Sequence, residues 1–319
     1  MAEALDDDDN NDDIFVYMGG DQQVPTHIRR ARIHKSVKIV RATAFYFRYK
    51  LIYLEFHDGV EIIEEEAFMG CIALKILKLL GVKIIKESAF NCCSSLTDVD
   101  FGDKLELIGR RAFYGCKALT NTRMLSVRII EERAFGDCFQ LSDVEFGEAL
   151  RTLQDSAFYG CFRLKRIALP MRGDMIEVGV FDSCHELTTI DLIGGAHDTV
   201  ASLHFESWRN EIMDEINRIN HVLPTTAEGK TEEIQQWMRS VINRLDHYKA
   251  EYKNLLKEAT TLLELALWKA NLDNNGDRLE REGARTTRGS RKRARKEICV
   301  TSGADVVIKN VLTFLQLPE

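Results

Sequence analysis

Evenly spaced phenylalanines constrain this chain more than any other feature. Phe45, Phe68, Phe90, Phe113, Phe135, Phe158 and Phe181 follow one another at steps of 23, 22, 23, 22, 23 and 23 residues. A fixed period of this length marks a solenoid, in which stacked units bury a shared core that none could form alone. Solenoids usually bind other macromolecules.

Other columns align on the phenylalanines. Three residues after each stands Cys71, Cys93, Cys116, Cys138, Cys161 or Cys184, with Arg48 in that place in the first unit. Three further on, a leucine opens a short alternating run, as in Leu96–Phe101 and Leu141–Phe146. Period-two alternation predicts a strand with one buried face. A second apolar column, Val40, Ile63, Ile85, Ile108, Ile130, Leu153 and Ile176, predicts a shorter strand before each corner. Each unit thus reads as strand, turn, short strand and an Ala-Phe corner, with Val180 replacing the alanine in the last. Gly59, Gly102 and Gly147 fall between the two strands, where a sharp turn favours glycine. Stacked strands lie about 4.8 Å apart. The rings should therefore form one buried ladder, each worth on the order of 2–3 kcal/mol.

The pattern Ile-x-x-x-Ala-Phe-x-x-Cys-x-x-Leu-x-x-Ile-x-Leu, over roughly residues 36–192, resembles the BspA-type leucine-rich repeat. The segments Ile234–Ser240 and Leu262–Ala270 are similar to the C-terminal region of an algal subfamily with such repeats. The resemblance implies a protein-interaction scaffold and brings no catalytic residues with it.

With 319 residues, 29% charged and 45% hydrophobic, the chain has room for two domains. A net charge of −7 gives no whole-protein signal for nucleic acid. Six of the eight cysteines share one repeat column, where a small buried side chain suits the core. A disulfide staircase is the competing reading, and it needs Cα atoms about 4.4–6.8 Å apart. Cys92 beside Cys93, and His185 beside Cys184, lack the spacing of a metal motif. The start of the chain is acidic and lacks the form of a signal peptide. No apolar run approaches membrane-spanning length, and there is no Asn-x-Ser/Thr sequon. A reduced, intracellular protein, cytoplasmic or nuclear, is the expectation.

Residues 1–13 read as a disordered acidic leader and 14–35 as an irregular N-terminal cap. Residues 36–205 hold about seven repeats and a C-terminal cap, in which Thr199 to Phe205 would add a closing strand. Residues 206–272 hold two helices. On the first, Trp208, Ile212, Ile216 and Ile219 share a face. The second, over 231–271, carries an unbroken heptad seam: Ile234, Met238, Val241, Leu245, Tyr248, Tyr252, Leu255, Ala259, Leu262 and Ala266. That seam packs either within the chain or against a second copy as a homo-oligomer. Residues 273–297 form a basic flexible linker, and 298–319 a C-terminal helix with Val307, Ile308, Val311, Leu312 and Leu315 on one side.

Two surfaces are candidates for function. Outward residues of the main strands are Tyr53 and Glu55, Ile76 and Lys78, Asp98 and Asp100, and Asn121 and Arg123, then Asp143 and Glu145, Arg166 and Ala168, and Thr189 and Asp191. Their sign alternates from unit to unit. This describes either a self-neutralising ladder, each pair contributing roughly 0.2–1 kcal/mol, or a docking face for a charged protein. The second candidate is the basic tract Arg291, Lys292, Arg293, Arg295 and Lys296, with Arg285 and Arg288 upstream. It reads as a nuclear-import signal, an electrostatic nucleic-acid contact or a solvated linker. No aromatics interleave, so base stacking is not indicated.

The expectation is a β-rich leucine-rich-repeat solenoid followed by an α-helical C-terminal region. It would be a non-enzymatic scaffold for an unidentified protein partner, without metal, cofactor or membrane. The alternatives are a nuclear or nucleic-acid-associated factor targeted by segment 285–296, and a secreted adhesion protein. The chain shows no phosphate loop, paired-His metal motif or nucleophile elbow.

Overall fold

The structure is a computed structural model describing residues 14–194, 196–223 and 229–283, the side chains of 196, 197, 222 and 271–283 excepted. In chain order its strands are β1 (Phe15–Tyr17), β2 (Arg30–Ile33), β3 (Ile39–Val40), β4 (Tyr53–Glu55), β5 (Ile62–Ile63), β6 (Ile76–Lys78), β7 (Ile84–Ile85) and β8 (Asp98–Asp100). Then come β9 (Leu107–Ile108), β10 (Asn121–Met124), β11 (Ile129–Ile130), β12 (Asp143–Phe146), β13 (Thr152–Leu153), β14 (Arg166–Pro170) and β15 (Thr189–Ile193). Three helices follow: α1 (Ala196–Ala201), α2 (Glu206–Val222) and α3 (Lys230–Gly283).

The units stack as a parallel β-solenoid. Short strands pair in the order β13-β11-β9-β7-β5-β3, and a bridge from Leu153 to Ile176 adds one more turn. The main strands form three sheets, β1-β2-β4, β6-β8 and β10-β12-β14-β15, so their ladder is interrupted twice. Residues 14–35, expected as an irregular cap, instead contribute β1 and β2. Both continue the main-strand register, Phe15 beside Ala31 and Ala31 beside Leu54. At the other end no strand among the described residues closes the stack. The segment expected to supply one begins inside α1, and β15 is the last strand.

The core is the predicted column of rings. Phe45 through Phe181 are fully buried, and successive centroids lie 4.8, 5.1, 5.2, 5.3, 5.4 and 6.2 Å apart in stacked geometry. Tyr17 tops the column edge-on at 5.3 Å from Phe45. Corners are tied by the backbone: Phe68 N donates to Ala89 O at 2.7 Å, and Phe113 N to Ala134 O at 2.8 Å. The cysteines add a second tie. Each buried thiol donates to the phenylalanine carbonyl of the preceding unit, as Cys71 Sγ to Phe45 O at 3.2 Å and Cys138 Sγ to Phe113 O at 3.2 Å. Burial pushes the Cys71 and Cys184 thiols up to about 12. They therefore stay protonated and able to donate. Gly147 has a reason other than the expected turn. A Cβ there would sit 1.9 Å from Leu125 O, so close stacking of backbones excludes any side chain. Gly102 does adopt the left-handed φ of 63°.

Both ends of a stack leave backbone groups without a next unit. At the start, the Gln22 side chain accepts from Met18 N and donates to Val16 O on the open side of β1. Arg48, standing where other units have cysteine, donates to Val24 O at 2.8 Å. At the finish, Thr231 Oγ1 accepts from Phe181 N at 3.0 Å, replacing the alanine carbonyl of a missing unit. Lys230 is buried, and its Nζ donates to the carbonyls of Cys184, His185 and Leu187 at 2.9, 2.8 and 2.8 Å. Desolvation lowers the pKa of that ammonium, while the three carbonyls favour its charged form. Asn220 Oδ1 accepts from Ile190 N at 2.8 Å, and Gln235 Nε2 donates to Ile176 O at 2.8 Å. The C-terminal cap is therefore built from α2 and α3, beyond the expected boundary at 205.

The chain divides into two compact units. One holds the solenoid with residues 210–243, where Ile212, Ile219, Ile234, Trp237, Met238 and Val241 are buried. Trp237 Nε1 donates to Glu215 O at 2.8 Å. The other holds residues 201–209 and α3 from Arg244. There Tyr248 stacks on Trp208 at 4.8 Å and Tyr252 on His204 at 3.9 Å. The first half of the heptad seam is thus consumed within the chain and is not free for a coiled coil along the whole of 231–271. Leu262, Leu265, Leu267 and Trp268 are exposed. Helix α3 runs to Gly283, past the expected end at 272. The basic tract and the expected C-terminal helix lie outside the described residues.

Candidate functional site

The main strands present alternate side chains outward, which places the predicted face on β4, β6, β8, β10, β12, β14 and β15. Its second half neutralises itself. Arg166 reaches Asp143 on one neighbouring strand at 3.1 Å and Asp191 on the other at 2.6 Å. Arg123 meets Glu145 at 3.2 Å. A similar pair, Arg32 with Glu55 at 2.7 Å, ties β2 to β4. All are partly solvated, so each contributes at most about 1 kcal/mol.

Between these two zones the alternation of sign continues but the pairing stops. Lys78, Asp98 and Asp100 form no ion pair among the described residues, although Lys78 and Asp100 are register partners. Asp100 Oδ1 instead accepts from Gly102 N at 3.1 Å. Beside them Tyr53 and Ile76 are 44% and 54% exposed, and Tyr49 and Ile72 are exposed on the adjoining corners. The Arg30 guanidinium lies over the Tyr53 ring at 5.3 Å. An open cleft of about 510 Å³ adjoins β8, with Leu80 and Leu125 as apolar lining and Asp58, Asp100, Asp103, Lys104 and Arg123 as charged lining. Both interruptions of the main-strand ladder, between β4 and β6 and between β8 and β10, border this stretch. Apolar side chains, unmatched charges and a cleft make a surface able to hold a polypeptide by burial and by charge-assisted hydrogen bonds.

Two surface features escaped the sequence reading. One residue before β3, β5, β7, β9 and β11, Lys38, Glu61, Lys83, Glu106 and Arg128 alternate in sign, and Arg151 before β13 ends the alternation. Lys83 meets Glu61 at 2.8 Å and Arg128 meets Glu106 at 3.7 Å. The Lys83 hydrogen bond holds the Glu61 carboxyl below its ordinary range. That second ladder was visible by aligning on the isoleucine pairs. The other feature is a row outside the core, four residues after each phenylalanine. There Phe139 and Phe162 stack at 5.1 Å, Lys117 Nζ lies 5.5 Å from the Phe139 ring, and His185 lies 5.6 Å from Phe162.

Among the described residues no group of His, Cys, Asp or Glu could hold a metal ion. No described helix is long and apolar enough to cross a membrane. The column thiols are free, as is exposed Cys92.

The profile of the BspA type leucine rich repeat region matches residues 26–126 and 108–217, in six copies and over more than half of the chain. The chain belongs to the BspA-type leucine-rich-repeat family. This BspA-type protein is similar to the T. pallidum leucine-rich-repeat protein TpLRR at 29% identity, over 55% of this chain and 77% of that one, with a TM-score of 0.44. A leucine-rich-repeat protein from Bacteroides ovatus matches at 24% identity, over 54% and 60%, with a TM-score of 0.42. The pneumococcal vaccine antigen PcpA matches at 17% identity, over 56% and 65%, with a TM-score of 0.30. No curated protein matches.

Proposed function

We propose that this BspA-type protein is a non-enzymatic scaffold whose protein partner docks on the stretch from β4 to β8. Its repeats support a protein-interaction role. One observation carries the choice of face. Charges that are paired across β10 to β15 form no ion pair among the described residues at Lys78, Asp98 and Asp100, beside exposed Tyr53 and Ile76. Buried aromatic and aliphatic anchors with desolvated charges at their rim are what concentrate binding energy in protein interfaces. The reading carries a reducing, intracellular setting with it, supported by described cysteines that form no disulfide.

The test is capture from native cells with three full-length baits: wild type, Tyr53→Ser/Ile76→Ser, and a Thr189→Lys control on the neutralised half. A partner retained by wild type and the control but lost by the double variant supports the face. A partner retained by all three overturns it.

A further inference from the structure

We propose that the row Lys117, Phe139, Phe162 and His185 is a second docking surface, for an extended acidic segment of a protein partner. The row follows four successive corners, in the column that Tyr49 and Ile72 occupy in the units of Phe45 and Phe68. Phe162 is 41% exposed and Phe139 half-buried, while Lys117 and His185 are exposed. Neither phenylalanine belongs to the buried column that holds the units together.

The chemistry of the occupant follows from how the rings stand. Phe139 and Phe162 stack nearly parallel, 13° apart, along the solenoid, so they turn their edges rather than their faces outward. Ring edges carry the positive part of the aromatic quadrupole and favour oxygen atoms of carboxylates and carbonyls. The charges agree. Lys117 caps one end of the row, and Arg163 stands beside Phe162, donating to Gln140 Oε1 at 2.6 Å. Neither Lys117 nor Arg163 has an ion pair among the described residues, whereas Lys165 is satisfied by Glu186 at 3.6 Å. An acidic chain laid along the row would bring carboxylates to Lys117 and Arg163 and short apolar groups to the ring edges.

The experiment is fluorescence anisotropy on the full chain. The probe is a labelled peptide rich in Asp and Glu with isolated leucines, compared with its Asn/Gln counterpart. The expected result is binding of the acidic peptide only, weakening as salt rises. Phe139→Ser/Phe162→Ser and, separately, Lys117→Glu/Arg163→Glu should each weaken it about tenfold or more. Charge reversal keeps the rings, so it decides the matter if the serine variant fails to fold. Asp98→Lys/Asp100→Lys should leave it unchanged, which separates this surface from the strand face. Equal binding of the neutral peptide, or undiminished binding by both variants, would overturn the proposal. So would a gain of about tenfold or more when residues 1–13 are removed. That gain would assign the row to the chain's own aspartates Asp6 to Asp9.

Discussion

The two halves of the main-strand face share one scaffold and differ in what their outward charges do. From β10 to β15, Arg166 holds Asp143 and Asp191, and Arg123 holds Glu145. From β4 to β8 the same alternation leaves Lys78, Asp98 and Asp100 without ion pairs among the described residues and sets them beside exposed Tyr53 and Ile76. The difference shows that sign alternation in a repeat does not by itself make a ladder. Arg166 spans to both neighbouring strands, whereas Lys78 and Asp100, though register partners, are both exposed and form no ion pair among the described residues. The half that uses its charges internally is structure. The half that does not carries the proposed docking face.

The largest expected effect tests what the halves have in common. The column thiols titrate far above their ordinary value because they are buried, to about 12 for Cys71 and Cys184. A folded-state pKa raised above the unfolded one gives stability that is complete below about pH 9 and lost as pH climbs toward the folded value. Each thiol contributes up to about 1.4 kcal/mol per pH unit, so urea midpoints should fall steeply between pH 9 and 11. Cys116→Ala should make the fall shallower, and an unchanged slope would refute the buried thiol column. Next, Phe90→Ala and Phe135→Ala lie beneath the unpaired and paired halves respectively. Each should cost about 3–5 kcal/mol and by similar amounts, since both rings sit in the same stack; a gap of several kcal/mol would mean the cores differ.

The C-terminal plug gives a smaller, one-sided effect. Lys230→Ala leaves three carbonyls, two of them in buried hydrogen bonds, without their donor and should cost about 2–4 kcal/mol. Hydrogen exchange should then lose protection in β14 and β15 before β4 to β8; uniform loss would contradict a local plug. The smallest effect separates the halves directly. Arg166→Met should cost about 1 kcal/mol and Lys78→Met less than about 0.5 kcal/mol, read from denaturation midpoints.

Much of the fold was legible in the sequence because the repeat carries its own register. Phe45 to Phe181, the cysteine column and the isoleucine column needed only alignment, and all are buried as expected. What was not legible has a physical reason in each case. β1 and β2 lack the Ala-Phe corner, so only pairing with β4 reveals them as units. Thr231 and Lys230 belong to a helix and become a cap only when Phe181 N and three carbonyls lack a next unit. The face residues were legible as an alternating row. Which of them pair was not, because reach across strands depends on side-chain length and strand register. Phe139 and Phe162 share their column with Tyr49, Ile72, Ser94, Lys117 and His185, a mixture that does not read as a row until the stacking of the two rings is seen.

The most direct test compares two double charge removals by urea denaturation. Asp143→Asn/Asp191→Asn removes both charge partners of Arg166 and should lower stability by about 1–2 kcal/mol, while Asp98→Asn/Asp100→Asn, which keeps an acceptor for Gly102 N, should change it by less than about 0.5 kcal/mol. Equal losses would mean that the β8 carboxylates are structural after all, and the assignment of β4 to β8 as the docking face would be wrong.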